Sequence, residues 1–182
     1  MKLCFSLLPG DTGKADRQKF SCGAPDLDGY LHRQTGQDMA RGFATVVLAR
    51  AMDEPSGILG YYAFSAASIP IVSLPGETSG KMPRYRNVPA ILLGRLAVAR
   101  SMQNRRIGSL LLFDALKRAC ASEIAWAIFM VDAKSERAAT LYEKFGFLRF
   151  HHAPNSLWLT RKQAMTLMPP IKVSPSTPNG QY

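Results

Sequence analysis

The sequence predicts an α/β fold of three layers, in which the central sheet is mixed rather than wholly parallel. Strand-like and helix-like patterns alternate along the chain, which favours this class. The chain has 182 residues, of which 47% are apolar, enough to bury the core of one domain. We expect one domain over residues 1–168. Residues 169–182 are rich in Pro, Ser, Thr and Gly and predict a flexible tail.

The first third of the chain predicts a strand, a helix and a hairpin. The expected elements are strands at 2–8, 42–50 and 58–66, a polar loop at 11–19 and a helix at 26–37. Asp26 is the expected N-cap of the helix, and Leu27, Tyr30 and Leu31 form its apolar stripe. The run Asp-Glu-Pro-Ser-Gly at 53–57 has turn chemistry, which predicts that the second and third strands form a hairpin.

Residues 69–87 show no regular pattern, since prolines and glycines interrupt them. A loop of this length in a compact domain is often functional. It directly precedes an apolar run that begins at residue 88. We therefore expect substrate contacts here, with Arg84 as the leading candidate.

A strand, a basic turn and a helix form the centre of the sequence. Residues 88–100 are almost continuously apolar, which suits a strand buried on both faces. A polar turn at 101–109 leads into a helix at 110–120, where Leu112, Leu116 and Cys120 recur on one face. The first amides of a helix lack partners and attract phosphate. The alternative is a surface turn made soluble by its arginines.

The remaining elements predict a strand at 125–131, a helix at 135–145 and short strands at 147–151 and 156–159. His151 and His152 stand next to each other, but no third metal ligand lies at a useful spacing. We expect a surface role for this pair and no bound metal.

The charge of the chain predicts an anionic partner. The net charge is +10 and the isoelectric point is about 9.9. Residues 78–113 contain no Asp or Glu, and their seven cations flank the basic turn: Lys81, Arg84, Arg86, Arg95, Arg100, Arg105 and Arg106. This tract is either a soluble basic face or a surface that binds RNA phosphates.

The cysteines and the apolar runs predict a soluble cytoplasmic protein without a membrane partner. Cys4, Cys22 and Cys120 lack metal-ligand spacing and are expected to be reduced thiols, two of them in the core. Nothing nearby in sequence would activate one as a nucleophile. The apolar run at 3–8 is too short for a signal peptide, and no run reaches transmembrane length.

The basic turn resembles the cofactor loop of the GNAT family of N-acetyltransferases, which has the pattern Gln/Arg-x-x-Gly-x-Gly/Ala. Gln103 fills the first position and Gly108 the last, while Arg106 stands where the middle glycine is usual. The second match lies further on, where the family shows Asn-x-x-Ala-x-x-Phe-Tyr-x-x-x-Gly-Phe. Ser135 replaces the Asn and can still cap the helix, and Leu141 replaces the Phe. The matching residues are Ala138, Tyr142, Gly146 and Phe147, and Gly146 is placed to end the helix in a left-handed conformation.

Further segments are similar to one subfamily, the acetyltransferase toxins of bacterial toxin–antitoxin pairs, over roughly residues 3–160. The segments are Phe20-x-Cys22-Gly23, Leu27-Asp28-x-Tyr30-Leu31, Gln37-Asp38, Gly60-Tyr61-Tyr62, Pro83-Arg84-Tyr85, Pro89-Ala90 and Leu93-Gly94-Arg95-Leu96-Ala97-Val98. Those toxins acetylate the α-amine of aminoacyl-tRNA and so block translation. The resemblance implies the same reaction here, a cognate antitoxin and a homodimer.

The resemblance also implies the GNAT fold, a mixed, mostly antiparallel sheet with helices on both faces, and acetyl-CoA as cosubstrate. The implied contacts with acetyl-CoA are Leu96, Ala97, Val98, Gln103, Asn104, Arg105, Arg106, Ile107, Gly108 and Ser109. The expected substrate contacts are Lys81, Arg84, Arg86 and Arg95.

Tyr142 is the expected general acid that protonates the departing CoA thiolate, since the family places a Tyr beside the cofactor sulfur. The spacing of Ala138, Leu141, Tyr142 and Phe145 equally suits a core tyrosine. Two other functions stay open. One is acetylation of a protein amine or a small-molecule amine, and the other is a non-catalytic RNA-binding module.

Overall fold

A computed structural model of the protein describes residues 1–8, 14–53 and 57–168. Within these ranges seven strands form one sheet in the order β1-β2-β3-β4-β5-β7-β6. Their bounds are Leu3–Leu7, Thr45–Ala51, Gly60–Pro70, Asn87–Val98, Ile128–Asp132, Leu148–Phe150 and Ala153–Thr160, for β1 to β7 in chain order. The pairing of β4 with β5 is parallel and the others are antiparallel. The mixed, mostly antiparallel sheet is therefore confirmed.

The helices of these ranges vary widely in length. From α1 to α7 they span Lys14–Gln18, Pro25–Gly29, Thr35–Ala40, Gly76–Ser79, Ile107–Cys120, Glu136–Glu143 and Arg161–Leu167. A π-helical turn, Tyr30–Gln34, joins α2 to α3, and 3₁₀ turns occur at Ile71–Ser73 and Arg100–Met102. None of the helices in the described ranges has both the length and the apolar character that membrane crossing requires.

The helices lie on both faces of the sheet, as predicted. Along β2, Val46 and Leu48 pack with Leu31 of the π-helical turn. The alternate residues Val47 and Ala49 pack in a second core cluster that contains the buried face of α5. Because successive strand residues point to opposite faces, β2 separates two helical layers.

Several local predictions are confirmed. Antiparallel pairing of β2 with β3 confirms the hairpin, although residues 54–56 of its predicted turn lie outside the described residues. The Ser135 hydroxyl accepts a hydrogen bond from the Ala138 amide at 3.2 Å and caps α6. Gly146 has a φ of +83°, the left-handed conformation expected after a helix end. The predicted tail at 169–182 also lies outside the described residues.

Other local predictions are wrong. The N-cap of α2 is Ala24 rather than Asp26, because Pro25 occupies the first helical position, where its missing amide costs nothing. Helix α1 lies within the predicted polar loop. Helix α7 was not predicted, although Thr160 and Gln163 form a capping box that the sequence displays. Only one of two expected core cysteines is buried, Cys120; Cys22 is half-buried.

Strand β4 is also less buried than predicted. Val88, Ala90, Leu93 and Ala97 are buried, but the residues between them are exposed or only half-buried. The apolar run indicated burial on both faces. The structure instead buries single residues on either face of β4, and the half-buried segment from Gly94 to Leu96 lies where the site is predicted.

Candidate active site

A bulge at Gly94 divides β4 into two parts. The pairing with β3 runs from Pro70↔Asn87 to Phe64↔Leu93, then skips one residue and resumes at Ala63↔Arg95. An inserted residue of this kind reverses which side chains face each layer. Leu93 before the bulge and Leu96 after it therefore both face the layer of α5.

Beyond the bulge, β4 and β5 separate. Their parallel pairing ends at Leu93↔Val131, whereas β4 continues to Val98 on β3 alone. The Ala99 amide donates to the Leu59 carbonyl at 2.9 Å. Because the polar groups of an antiparallel strand alternate in direction, those of Leu96 and Val98 face the opening. This places a row of backbone donors and acceptors along one wall of a cleft.

The turn from β4 to α5 holds two non-glycine residues in the left-handed region. Asn104 has a φ of 64° and Arg106 a φ of 62°. This conformation costs a residue with a Cβ about 1–2 kcal/mol, which explains why glycine suits position 106. The first i to i−4 bond of α5 joins the Leu110 amide to the Arg106 carbonyl. The amides of Ile107, Gly108 and Ser109 therefore precede the helical bonding pattern and form an anion-binding terminus.

Side chains of the turn divide into anchors and exposed cations. Gln103 donates from Nε2 to the Cys22 carbonyl at 2.8 Å and to the Val98 carbonyl at 3.2 Å. Arg137 of α6 donates to the Asn104 side chain. These bonds fix the turn to the end of β4, and the predicted contact of Gln103 with the cofactor stays a prediction. Arg105 and Arg106 are exposed at the mouth of the cleft.

Tyr142 lies in the wall formed by α6. Its side chain is 4% exposed and its ring packs against Phe147 with centroids 5.8 Å apart. Burial, with a smaller contribution from the negative charge of Asp132, raises the pKa of the Tyr142 hydroxyl above its ordinary value. That hydroxyl makes no hydrogen bond to another described residue. The hydroxyl is thus a neutral donor without a protein partner, and the influence of Asp132 places it near the end of β5.

Helix α6 approaches the start of α5 at Gly108. A Cβ built on Gly108 would lie 3.4 Å from Leu141 Cδ2 and 3.8 Å from Val98 Cγ2. The end of β4, the first turn of α5 and α6 therefore meet at one point. The family resemblance implied that the two motifs lie close together, since it places Tyr142 beside the cofactor that the turn would bind.

The predicted substrate cations do not surround the cofactor turn. Lys81, Arg84 and Arg86 lie exposed in the connection between β3 and β4, at the other end of β4. Arg95 is separate, since its guanidinium lies 4.1 Å from the centroid of the Tyr30 ring. The length of the β3–β4 hairpin is the physical reason. The connection lies at the start of β4, whereas the cofactor turn follows the end of β4.

The β3–β4 connection forms an open groove of about 420 Å³. Its lining residues include Ile71, Met82, Arg84, Tyr85 and Arg86. Tyr85 was not among the predicted site residues. The signal for it is visible in the sequence, where it stands between two arginines.

Tyr30 and Arg137 were also missed. Tyr30 was predicted as part of an apolar stripe, and no sequence pattern indicates the π-helical turn that it begins. Its pKa is raised to about 12 by burial and, secondarily, by the carboxylate of Asp38. Arg137 carries no signal of its own, since its role depends on the approach of α6 to the turn.

Two alternative chemistries find no support at this site. Burial raises the pKa of the Cys22 thiol to about 11, so that it stays protonated and is a poor nucleophile. Among the described residues no group of three or more His, Cys, Asp or Glu side chains converges as a metal site would require. His151 and His152 are exposed.

Comparison with known proteins identifies the class of this site. The family described as "Acetyltransferase (GNAT) domain" matches residues 44–149, which span the hairpin, the cleft and α6. The chain belongs to the GNAT acetyltransferases and has an acyltransferase fold and site.

Within this family the chain is similar to bacterial toxins. It is 33% identical to the tRNA-acetylating toxin of Mycobacterium tuberculosis over 155 residues, which cover 84% of this chain and 90% of the relative. The solved structure of AtaT complexed with acetyl-methionyl-tRNAfMet is 26% identical, with a TM-score of 0.81, over 91% of this chain and 99% of AtaT. An AtaTR structure bound with acetyl-CoA is 25% identical, with a TM-score of 0.77, over 91% and 97% of the two chains.

Proposed function

We propose that the protein is an acetyl-CoA-dependent toxin that acetylates the α-amine of aminoacyl-tRNA and thereby inhibits translation. One observation carries the proposal: the open edge of β4 at Leu96 and Val98 meets the free amides of α5 next to α6, the helix that carries the unpartnered hydroxyl of Tyr142. This arrangement offers acetyl-CoA backbone hydrogen bonds, an anion site and a proton donor together. The similarity to a tRNA-acetylating toxin and to tRNA-bound AtaT supports the choice of acceptor.

The residues of the cleft fit acetyl-CoA. The amides of Ile107, Gly108 and Ser109 would hold the pyrophosphate, with Arg105 and Arg106 supplying positive charge at its edge. Backbone groups of Leu96 and Val98 would pair with the amides of the pantetheine arm. Ala97 contributes by pairing with β3, which keeps this segment extended.

Tyr142 would act as the general acid. Acetyl-CoA supplies the acetyl group as a thioester, and transfer forms a C–N bond while the C–S bond breaks. The Tyr142 hydroxyl would donate a proton to the departing sulfur. The amine loses one proton as it becomes an amide, and this proton replaces the one that Tyr142 gave up. The negative charge on the carbonyl oxygen would be stabilised by a backbone amide of the Leu96–Val98 segment that faces the cleft, that of Leu96 or Val98.

An aminoacyl ester suits a site without a dedicated base. A lysine amine, with a pKa near ~10.4, needs a base to become neutral, whereas an α-amine has a pKa of only ~7.7–8.0. The α-amine is thus substantially neutral at cellular pH and requires mainly positioning. Arg95, stacked on Tyr30 on the opposite face of β4 from Leu96, is the proposed contact nearest to the acceptor.

Three further properties follow from the toxin assignment. The protein would act in the cytoplasm, where charged tRNA is found. A cognate antitoxin would neutralise it by covering the basic surface. It would form a homodimer, with the catalytic domain at residues 1–168 and a Pro-rich tail at 169–182 outside it.

The test is acetyl transfer from labelled acetyl-CoA to a total pool of charged tRNA, with deacylated tRNA as the control. We expect label on the aminoacyl group after nuclease digestion and none with deacylated tRNA. Label on protein or on added polyamine instead would favour the other acceptor classes. Failure of acetyl-CoA to raise the melting temperature would favour an RNA-binding module without catalysis.

A further inference from the structure

Backbone hydrogen bonds hold the groove of the β3–β4 connection in shape, yet the groove presents a large aromatic side chain to solvent. The Ile71 amide donates to the Arg86 carbonyl at 3.1 Å, which closes the base of the connection. Leu74 is buried and anchors the segment in the core cluster beneath it. The Tyr85 amide donates to the Pro83 carbonyl at 2.7 Å, a tight turn. Even so, Tyr85 is 68% exposed.

Both residues next to Tyr85 in the chain are cations. Arg84 and Arg86 flank it, and both are exposed and line the same groove. Lys81 lies exposed on the same connection, and Glu77 of α4 is the nearest acidic residue in the sequence. Two guanidinium groups on either side of an exposed ring match a nucleotide, whose phosphates take the cations and whose sugar or base packs on the ring.

The groove is too far from the reaction centre to touch the aminoacyl ester. At ~3.3 Å per residue, the part of β4 from Asn87 to the bulge at Gly94 covers roughly 20 Å. Stacked nucleotides rise ~3.4 Å each along one strand, so this separation corresponds to on the order of six nucleotides. An RNA whose aminoacyl end lies beside Arg95 would therefore reach the groove with a part upstream of its CCA end.

We propose that this groove is a second RNA site, in which Arg84 and Arg86 bind phosphates of the tRNA body and Tyr85 packs against the nucleotide between them. The inference rests on the proposed function. It divides the predicted contacts with tRNA into two separate places. Arg95 serves the reacting end of the tRNA, and the groove selects substrates that are long enough to span both places. Short aminoacylated fragments are then poor substrates.

The experiment compares acetylation of full-length aminoacyl-tRNA with acetylation of an aminoacyl-CCA fragment. The readout is the ratio of kcat/KM for the two substrates. We expect Arg84→Ala/Arg86→Ala to lower this ratio roughly tenfold, and Tyr85→Ala to lower it roughly fivefold or more. Tyr85→Phe should retain most of the ratio, because the ring remains. Lys117→Ala/Lys162→Ala, an equal loss of charge at exposed positions on α5 and α7, is the matched control.

A ratio that stays at the wild-type value in the groove variants would overturn the inference. Equal losses on both substrates, or the same loss in the control pair, would also overturn it. A wild-type protein that acetylates neither substrate would instead contradict the proposed function.

Direct binding of charged tRNA tests the groove without catalysis. Removing two phosphate contacts should reduce the slope of log affinity against log salt by about 1.5. An unchanged slope would rule out RNA in the groove and would leave a protein as its partner.

Discussion

The two ends of β4 present different kinds of chemistry. Beyond the bulge at Gly94, the polar groups that face the cleft belong to the backbone, and Tyr142 beside them is buried. At the start of the strand, the groove presents the exposed side chains of Arg84, Tyr85 and Arg86. The chemistry at the end of β4 therefore depends on backbone conformation, and the chemistry of the groove depends on which side chains are present.

This difference predicts that the turn from β4 to α5 tolerates a departure from the family pattern. Arg106 takes the left-handed conformation for which glycine is usual, and the three amides that follow it still precede the helical bonding pattern of α5. A site made from backbone survives such a replacement at a modest cost in stability. A site made from exposed side chains loses its function when those side chains change.

The largest expected effect is at Tyr142. Tyr142→Phe removes the donor hydroxyl and keeps the ring that packs on Phe147. We expect kcat to fall by about 10²–10⁴, with little change in KM for acetyl-CoA, as measured by steady-state kinetics. A variant with normal kcat would exclude Tyr142 as the acid, and another proton donor would then have to serve the departing thiolate.

The pH dependence of the wild-type enzyme distinguishes the titration of Tyr142 from the titration of the acceptor amine. The acceptor amine must be neutral, so kcat/KM should rise about tenfold per pH unit below the amine pKa, which in an aminoacyl ester lies below the ~7.7–8.0 of an ordinary α-amine, and then level off. Tyr142 must be protonated. Because burial raises its pKa above the ordinary tyrosine value of about 10, Tyr142 stays protonated throughout the range in which the amine titrates. A rate that falls between pH 8 and 9.5 would indicate a different acid.

Gly60 pairs with Val98, so a substitution there tests whether acetyl-CoA binding depends on the backbone position of the end of β4. A Cβ at Gly60 would lie 2.8 Å from the Ala97 carbonyl oxygen and 2.8 Å from Leu111 Cδ1. Gly60→Ala should therefore cost roughly 1–3 kcal/mol of unfolding free energy and raise KM for acetyl-CoA. Thermal and denaturant unfolding measure the first quantity.

Gly108→Ala is the matched variant for stability, because its Cβ would make only ordinary contacts. We expect its unfolding free energy to stay within about 1 kcal/mol of the wild type. Equal destabilisation by the two substitutions would show that the close approach of β3 to the end of β4 is not the cause.

The smallest expected effect is at Arg106. Arg106→Gly relieves the left-handed strain but removes a cation from the mouth of the cleft, so the two effects oppose each other. We expect unchanged or slightly higher stability and a severalfold weaker affinity for acetyl-CoA in calorimetric titration. Unchanged affinity would mean that the backbone alone holds the pyrophosphate.

The sequence predicted the cleft better than the groove for a physical reason. Helix caps and turns are local, so Ser135, Gly146 and the turn that ends at Gly108 could be recognised from neighbouring residues. The separation of Arg84 from the cofactor turn depends on how far the β3–β4 hairpin extends, which no local pattern specifies. The same holds for the stacking of Arg95 on Tyr30, which joins distant parts of the chain.

The division of labour between the two ends of β4 is tested most directly by a double-variant cycle on full-length aminoacyl-tRNA. It combines Tyr142→Phe with Arg84→Ala/Arg86→Ala and measures kcat/KM for each variant and for the combination. Distant, independent sites add in free energy to within about 0.5 kcal/mol, so the two losses should multiply to within a factor of about two. A combined variant that is no worse than Tyr142→Phe alone would contradict two separate sites acting on one tRNA.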